Sequence, residues 1–388
     1  MTKKMLIIPG GFVPYNDTVT LLLYKRLRNL DYRFDVLALR GDADDGIAAE
    51  LEKDVNFKKF NIRYLCDYDD CIAIKHPIRI LKSFYYMRKY VKESIKMYEK
   101  ERYDIVYTSS IPGITHICGH EIKKRYPNVT WYASFSDPIK NSPYKKDPDL
   151  KNRSIFYRIA FAIGAFIYMN NRFEEVAIEN ADRLFFICKE QRDFTLEQYE
   201  NGDRYLFKCK IEPLTYIPEW KMYKDLITAP RINNIPKQAV HLGRLYGLRK
   251  IDNFLLALKE LKEEDLKLSE KIVFHQYSEI QLSDVKLIKE YNLEDVFIVH
   301  SKVSYSEAIE IMKNADILVL FDTIMEDEKI QPYLPSKIIE YLLLNKPILG
   351  ICGTNSPSFR ILKEKTENYV GCTKSIIKGN ILKLLEYK

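Results

Sequence analysis

Three cations leave the end of one apolar run within seven residues: Arg244, Arg249 and Lys250 follow the segment Ala-Val-His-Leu-Gly at 239–243. A guanidinium and an ammonium converging on one point suit a diphosphate leaving group, because charge develops on it as the bond to it breaks. Gly243 and Gly247 lie among them, and backbone without a Cβ lets a ligand approach closely. The alternative is a solvated basic loop. A second segment runs Pro332-Tyr-Leu-Pro335-Ser336-Lys337-Ile-Ile-Glu340-Tyr341. Pro335 suits a first helical turn, and a helix start offers free backbone N–H groups to phosphate. Lys337 and Glu340 are three apart and share a face, which leaves the carboxylate placed to accept hydrogen bonds from ribose hydroxyls. The alternative is a capped surface helix with an ordinary ion pair.

Other candidates are isolated. Asp137 ends an apolar run and either meets an acceptor hydroxyl or starts an Asp-Pro turn. His116 and His120 have the i, i+4 spacing of metal ligands but no third partner, so a packed or exposed pair is expected and no metal. His275 and His300, at run ends, are equally ambiguous. The seven cysteines (66, 71, 118, 188, 209, 352 and 372) form no C-x-x-C pair. They read as reduced thiols.

The elements that position these residues follow one pattern, a short apolar strand and then an amphipathic helix. In the first half the strands fall at 4–9, 33–39, 60–64, 104–108, 129–135 and 183–188, with helices at 17–30, 80–100 and 113–126. A second series begins at 239–243 and continues at 271–276, 296–300, 317–320 and 347–351; Asp322 follows the fourth of these. Near-continuous Ile/Val/Leu/Phe runs alternating with helices indicate parallel sheets covered on both faces. Two series imply an α/β chain of two Rossmann-like domains, as 388 residues allow. Pro213, Pro218, Pro230 and Pro236 punctuate the join, which divides an N-terminal domain at 1–220 from a C-terminal one at 221–370. A last helix at 371–388 belongs with the second domain or crosses back to the first. In such sheets ligands bind beyond the carboxyl ends of the strands.

The net charge of +7 is uneven: residues 75–102 hold nine Lys/Arg and three Glu. This predicts an anionic partner, either a membrane surface or a polyphosphate, since no base-reading module marks nucleic acid. The apolar stretch 155–169 is too short to span a bilayer. It reads as a buried core helix, or as an interfacial one helped by the basic, aromatic-rich 78–98. Without a secretory signal the expected place is the cytoplasm, with the inner face of the plasma membrane as a further option.

Gly243-Arg244-Leu245 with a second cation five residues on, the Leu245-Tyr246-Gly247-x-Arg249 variant, Asn314-Ala315-Asp316-Ile317, and Leu334-Pro335-Ser336-Lys337-Ile-Ile-Glu340-Tyr341 before Lys346-Pro347 resemble the C-terminal domain of family 4 glycosyltransferases of the GT-B fold, in a branch of bacterial surface-polysaccharide clusters. The resemblance implies two domains facing across a cleft. It places the donor diphosphate on Arg244 and Arg249 or Lys250 and the ribose on Glu340, with Gly243, Tyr246, Gly247, Asp322, Pro335, Ser336 and Lys337 around them. It also implies metal-independent, retaining transfer from a nucleotide diphospho-sugar, with no separate cofactor, to a glycan or polyprenyl-linked acceptor. Most of that family carries a Glu eight residues before the ribose carboxylate; Pro332 stands there, and Glu326, Asp327 and Glu328 are out of register. On the N-terminal side Pro9-Gly10-Gly11-Phe12, the helix bearing His116, Ser134-Phe-Ser-Asp137-Pro138 and Glu175 to Asp182 follow the family's order, so Gly10, Gly11, His116 and Asp137 are the acceptor-side candidates. A nucleotide-sugar epimerase on the same plan, or a scaffold that only binds the nucleotide-sugar, are the competing readings.

Overall fold

A computed structural model describes residues 2–15, 18–68, 77–110, 112–142, 154–168, 170–325, 329–365 and 367–386. Cys71, Lys75, Met169 and residues 326–328 lie outside them. The chain forms two compact units, Met1–Thr215 and Tyr216–Lys388. The boundary falls slightly before 220: Trp220 stacks on Tyr223 of the second unit and Tyr216 packs against the same ring at a tilt.

The first unit holds a seven-stranded sheet, all parallel, in the order β3-β2-β1-β4-β5-β6-β7. Its strands are β1 (Lys3–Ile8), β2 (Tyr32–Arg40), β3 (Phe60–Asp67), β4 (Ile105–Ser109), β5 (Thr130–Ser134), β6 (Arg183–Phe186) and β7 (Cys209–Ile211). Its helices are α1 (Thr18–Leu27), α2 (Asp45–Lys53), α3 (Pro77–Glu101), α4 (Ile114–Arg125), α5 (Ile155–Tyr168), α6 (Asn171–Asn180) and α7 (Lys189–Glu197). The second unit has a six-stranded parallel sheet, order β10-β9-β8-β11-β12-β13. It comprises β8 (Lys237–Leu242), β9 (Ile272–Tyr277), β10 (Phe297–His300), β11 (Ile317–Phe321), β12 (Ile348–Ile351) and β13 (Tyr369–Val370). Around it lie α8 (Lys221–Ile227), α9 (Asp252–Glu264), α10 (Leu282–Glu290), α11 (Tyr305–Asn314), α12 (Ile338–Leu343), α13 (Pro357–Lys363) and α14 (Lys374–Glu386). Every residue of β11 is buried, as a central strand covered on both faces requires.

Three aspartates just ahead of a strand tie it to its neighbour. Asp104 accepts from the Lys4 backbone N–H at 2.8 Å, Asp182 from Trp131 at 2.7 Å and Asp316 from Gln238 at 2.7 Å. Each satisfies a donor at a sheet end, where no ladder partner exists. The Asn-Ala-Asp segments at 180–182 and 314–316 are thus structural. Lys346 is structural too: its buried ammonium donates to the carbonyls of Met312, Lys313 and Ala315 at the end of α11, where cations are favoured.

Two helices bear on alternatives left open by the sequence. Among the described side chains of the apolar helix α5, Ile155, Phe156 and Ile159 are 64%, 75% and 53% exposed, as a buried core helix would not have them, while Ile163 packs on the core of the first unit. The last helix, α14, packs on α9 of its own unit, burying Ile377, Ile381 and Leu384 and pairing Lys374 and Lys378 with Glu260. Among the described residues no helix is long and apolar enough to cross a membrane.

Candidate functional site

In the second sheet the chain order reverses between β8 and β11, the switch point at which open α/β sheets leave a crevice. Gly243 follows β8 there and Asp322 follows β11. Gly243 has φ +135°, a conformation that favours glycine. Its N–H donates to Tyr277 O at 3.0 Å and its carbonyl accepts from the buried Gln276 side chain at 2.7 Å. A Cβ at this position would collide with Lys337 Nζ. Gly243 is thus favoured by its backbone angle, and the space that its missing Cβ leaves is taken by the Lys337 ammonium.

The loop beyond turns back on itself. Gly247 has φ +59°, and Arg249 donates from Nη1 to the Arg244 carbonyl at 3.2 Å. This brings Arg249 inward, its guanidinium 5.1 Å from the Tyr246 ring centre and its Nε buried with no partner. Arg244 points outward instead, exposed and paired with Glu279 at 2.9 Å. Lys250 is exposed as well.

Lys337 faces this loop from the turn before α12. The α-helix itself begins at Ile338, so Pro335 stands ahead of it rather than in its first turn. Bonds from Ile338 to Pro335 and from Ile339 to Ser336 are of the tighter i+3 kind, and the first α-type bond, Tyr341 to Lys337, comes after them. A six-residue helix contributes little dipole, so positive charge at this point comes from side chains. Burial, then the neighbouring Arg249, pushes the Lys337 ammonium down to about 7, partly offset by Glu340 and Asp322. Two half-buried cations side by side are each unfavourable until an anion joins them.

Several buried polar atoms around them lack partners in the structure. His241, the penultimate residue of β8, engages Val319 O through Nδ1 at 2.8 Å, so Nδ1 carries the hydrogen and Nε2 is a bare acceptor. Burial and then Lys337 hold this ring well below the usual histidine range, hence neutral. Asp322 accepts from Thr323 N at 2.7 Å and Gln331 Nε2 at 3.0 Å through Oδ1, and the Ser358 hydroxyl lies beside the same carboxyl. Burial raises its carboxyl to about 6. Gln276 Oε1 also lacks a partner. Buried polar atoms are costly to leave unmade, and such a set around a cationic pair marks a site for a polar, anionic ligand. Sequence reasoning missed His241, whose only signal is one polar side chain inside an apolar strand. Glu340 is 7% exposed, one turn beyond Lys337, and accepts a hydrogen bond from Tyr305 at 2.9 Å.

The first-unit candidates are placed differently. Gly10 and Gly11 follow β1, and the Gly11 backbone, with Gly41, seats the Tyr15 ring where any Cβ would strike it. His116 is fully buried on Thr108 at 2.9 Å, with burial lowering it to about 3, so it is a neutral core ring. Asp137 is half-buried in the loop after β5. That loop is held by a residue no motif indicated: the fully buried Glu174 of α6, which accepts from the N–H groups of Ile139 at 2.5 Å and Lys140 at 3.2 Å and from the Tyr199 hydroxyl at 2.8 Å. His275 and His300 bond each other at 2.9 Å. The six described cysteines are free, and among the described residues no three His, Cys, Asp or Glu side chains gather as metal ligands would.

No family model and no curated protein matches the chain in sequence. Solved structures do match in shape. The sucrose-phosphate synthase from Thermosynechococcus elongatus superposes with a TM-score of 0.60 at 12% identity, over 99% of this chain and 90% of that one. Anabaena HepE in complex with UDP-glucose gives 0.60 at 12%, over 99% and 90%. The UDP-GlcNAc 2-epimerase of Neisseria meningitidis bound to UDP-GlcNAc gives 0.51 at 13%, over 99% and 92%. The chain has the GT-B fold, two Rossmann-like α/β units each built on a parallel sheet.

Proposed function

We propose that the chain is a glycosyltransferase that takes a sugar from a nucleotide diphospho-sugar held in its second unit. The observation that carries this reading is the convergence of two half-buried cations at the sheet's switch point: Lys337, whose Nζ fills the space beside Gly243 at the end of β8, and Arg249, turned inward by its bond to the Arg244 carbonyl. In the proposed complex they hold the diphosphate, which gains charge as the glycosidic bond breaks and so is bound more tightly in the transition state than before it. Neutral His241 and the Asp322 region border the same spot, and Glu340 receives the ribose hydroxyls. Arg244, Lys250 and Tyr246 line the outer loop, with Arg244 available to the donor once it leaves Glu279. On the first unit Asp137, in the loop that Glu174 holds, meets the acceptor together with the Gly10–Gly11 turn after β1, while His116 is a core ring with no direct part. HepE was solved with UDP-glucose, which favours a nucleotide-sugar ligand for this fold.

The finer reading is a retaining, metal-independent transfer to a glycan or polyprenyl-linked acceptor, in polysaccharide or glycoconjugate assembly at an anionic membrane face. The exposed Ile155, Phe156 and Ile159 of α5 and the exposed Phe84 and Tyr85 of the basic α3 support membrane contact, since apolar side chains set among cations suit anionic lipid. Incubation with UDP-, GDP-, dTDP- and CMP-sugars, monitored for nucleotide release, tests the function. Acceptor-dependent release insensitive to EDTA supports transfer; the epimerase of similar shape makes C2 inversion without any acceptor the outcome that would replace it.

A further inference from the structure

Glu340 is held from behind. Tyr305, the first residue of α11, donates its hydroxyl to Glu340 Oε1 at 2.9 Å. A phenol has a single hydrogen, so the 3.3 Å contact between the Tyr223 and Tyr305 hydroxyls is donated by Tyr223. The bonds therefore run in one direction, Tyr223 to Tyr305 to Glu340. Tyr223 is fully buried on α8, which packs against both α11 and α12. Burial and the adjacent Glu340 push the Tyr305 phenol well above its ordinary value, which keeps it a donor throughout the neutral range.

Geometry makes the arrangement specific. A glutamate has three side-chain torsions, and ordering them for each ligand costs binding free energy. A phenol donor on one carboxylate oxygen settles those torsions before any ligand arrives. Charge-assisted bonds of this kind are the strong ones, and preorganised second-layer partners raise affinity without touching the ligand.

We propose that Tyr305, backed by Tyr223, is a positioning residue that fixes Glu340 for the ribose diol and so sets the preference for a ribonucleotide donor. This rests on the donor-site reading above. The test is calorimetric binding of UDP, GDP and ADP, each beside its 2′,3′-dideoxy counterpart, to wild type, Tyr305→Phe, Tyr223→Phe and Glu340→Gln. Wild type is expected to prefer at least one ribonucleotide over its dideoxy form by about tenfold, the size of one charge-assisted hydrogen bond. Tyr305→Phe and Glu340→Gln should shrink that ratio to about threefold or less while leaving the dideoxy affinity unchanged, which a general loss of structure would not do. Should Tyr305→Phe fail to fold, Tyr223→Phe carries the same comparison, removing only the outer link. A ribose preference intact in folded Tyr305→Phe overturns the proposal, as does a wild type that binds both forms equally. A wild type that binds none of the three diphosphates overturns the donor-site reading itself, and this proposal with it.

Discussion

Lys337 Nζ rests against the Cα of Gly243, at a place where any side chain on residue 243 would strike it. The contact joins the end of β8 to the turn before α12, and it keeps the ammonium beside Arg249 and the bare nitrogen of His241. Gly243→Ala should therefore lose binding and stability together. Left-handed strain and the displaced ammonium are expected to cost on the order of 1–3 kcal/mol in urea denaturation. Unchanged stability and unchanged nucleotide affinity would contradict the contact.

The Lys337 ammonium, held down to about 7 when no anion is bound, regains its proton once a diphosphate neutralises the site. Above that pH, binding takes up a proton, so donor affinity should fall by up to about tenfold per pH unit. An intact sugar nucleotide is the proper probe, because its phosphate diester linkages do not titrate in this range. Lys337→Met should bind more weakly and show a flat profile from pH 7 to 9 in the same titration.

Of the three cations after β8, only Arg249 is turned inward. Arg249→Ala is expected to lower turnover by ~10²–10³, the usual loss for one preorganised charge stabiliser. Arg244→Ala, at an exposed ion pair, should lower it by about tenfold or less. Steady-state rates with one donor decide the order; equal losses would show that Arg244 leaves Glu279 and reaches the donor.

Glu174 gathers two backbone N–H groups and a phenol in a fully buried position. Glu174→Ala strands these donors and should destabilise the protein by about 2–3 kcal/mol in denaturant unfolding. Glu174→Gln keeps the volume and should lie between. A loss under about 0.5 kcal/mol would mean the loop after β5 is held by something else.

Much of this architecture was legible in the chain. Central strands such as Ile317–Phe321 are unbroken apolar runs, and in an α/β protein such runs have few other places to go. The missed strands, Cys209–Ile211 and Tyr369–Val370, are edge strands of three and two residues, too short for a period to register. At the site, three cations at one strand end were plain, but which of them turns inward depends on the reversal at Gly247, a tertiary matter. His241 and Glu174 were invisible for a related reason: each gains its role from partners far away in sequence, Val319 in one case and Ile139 in the other. Pro335 reads as a helix opener, yet the i+3 bonds that follow it delay the α-helix to Ile338.

The central claim is that Arg249 and Lys337 together grip the diphosphate of a nucleotide. Its most direct test is calorimetry of wild type, Arg249→Met and Lys337→Met with UDP and GDP, each beside the nucleoside lacking phosphate. The account predicts that each variant loses at least about tenfold in diphosphate affinity with nucleoside affinity unchanged. Variants that bind the diphosphates as tightly as wild type would contradict it.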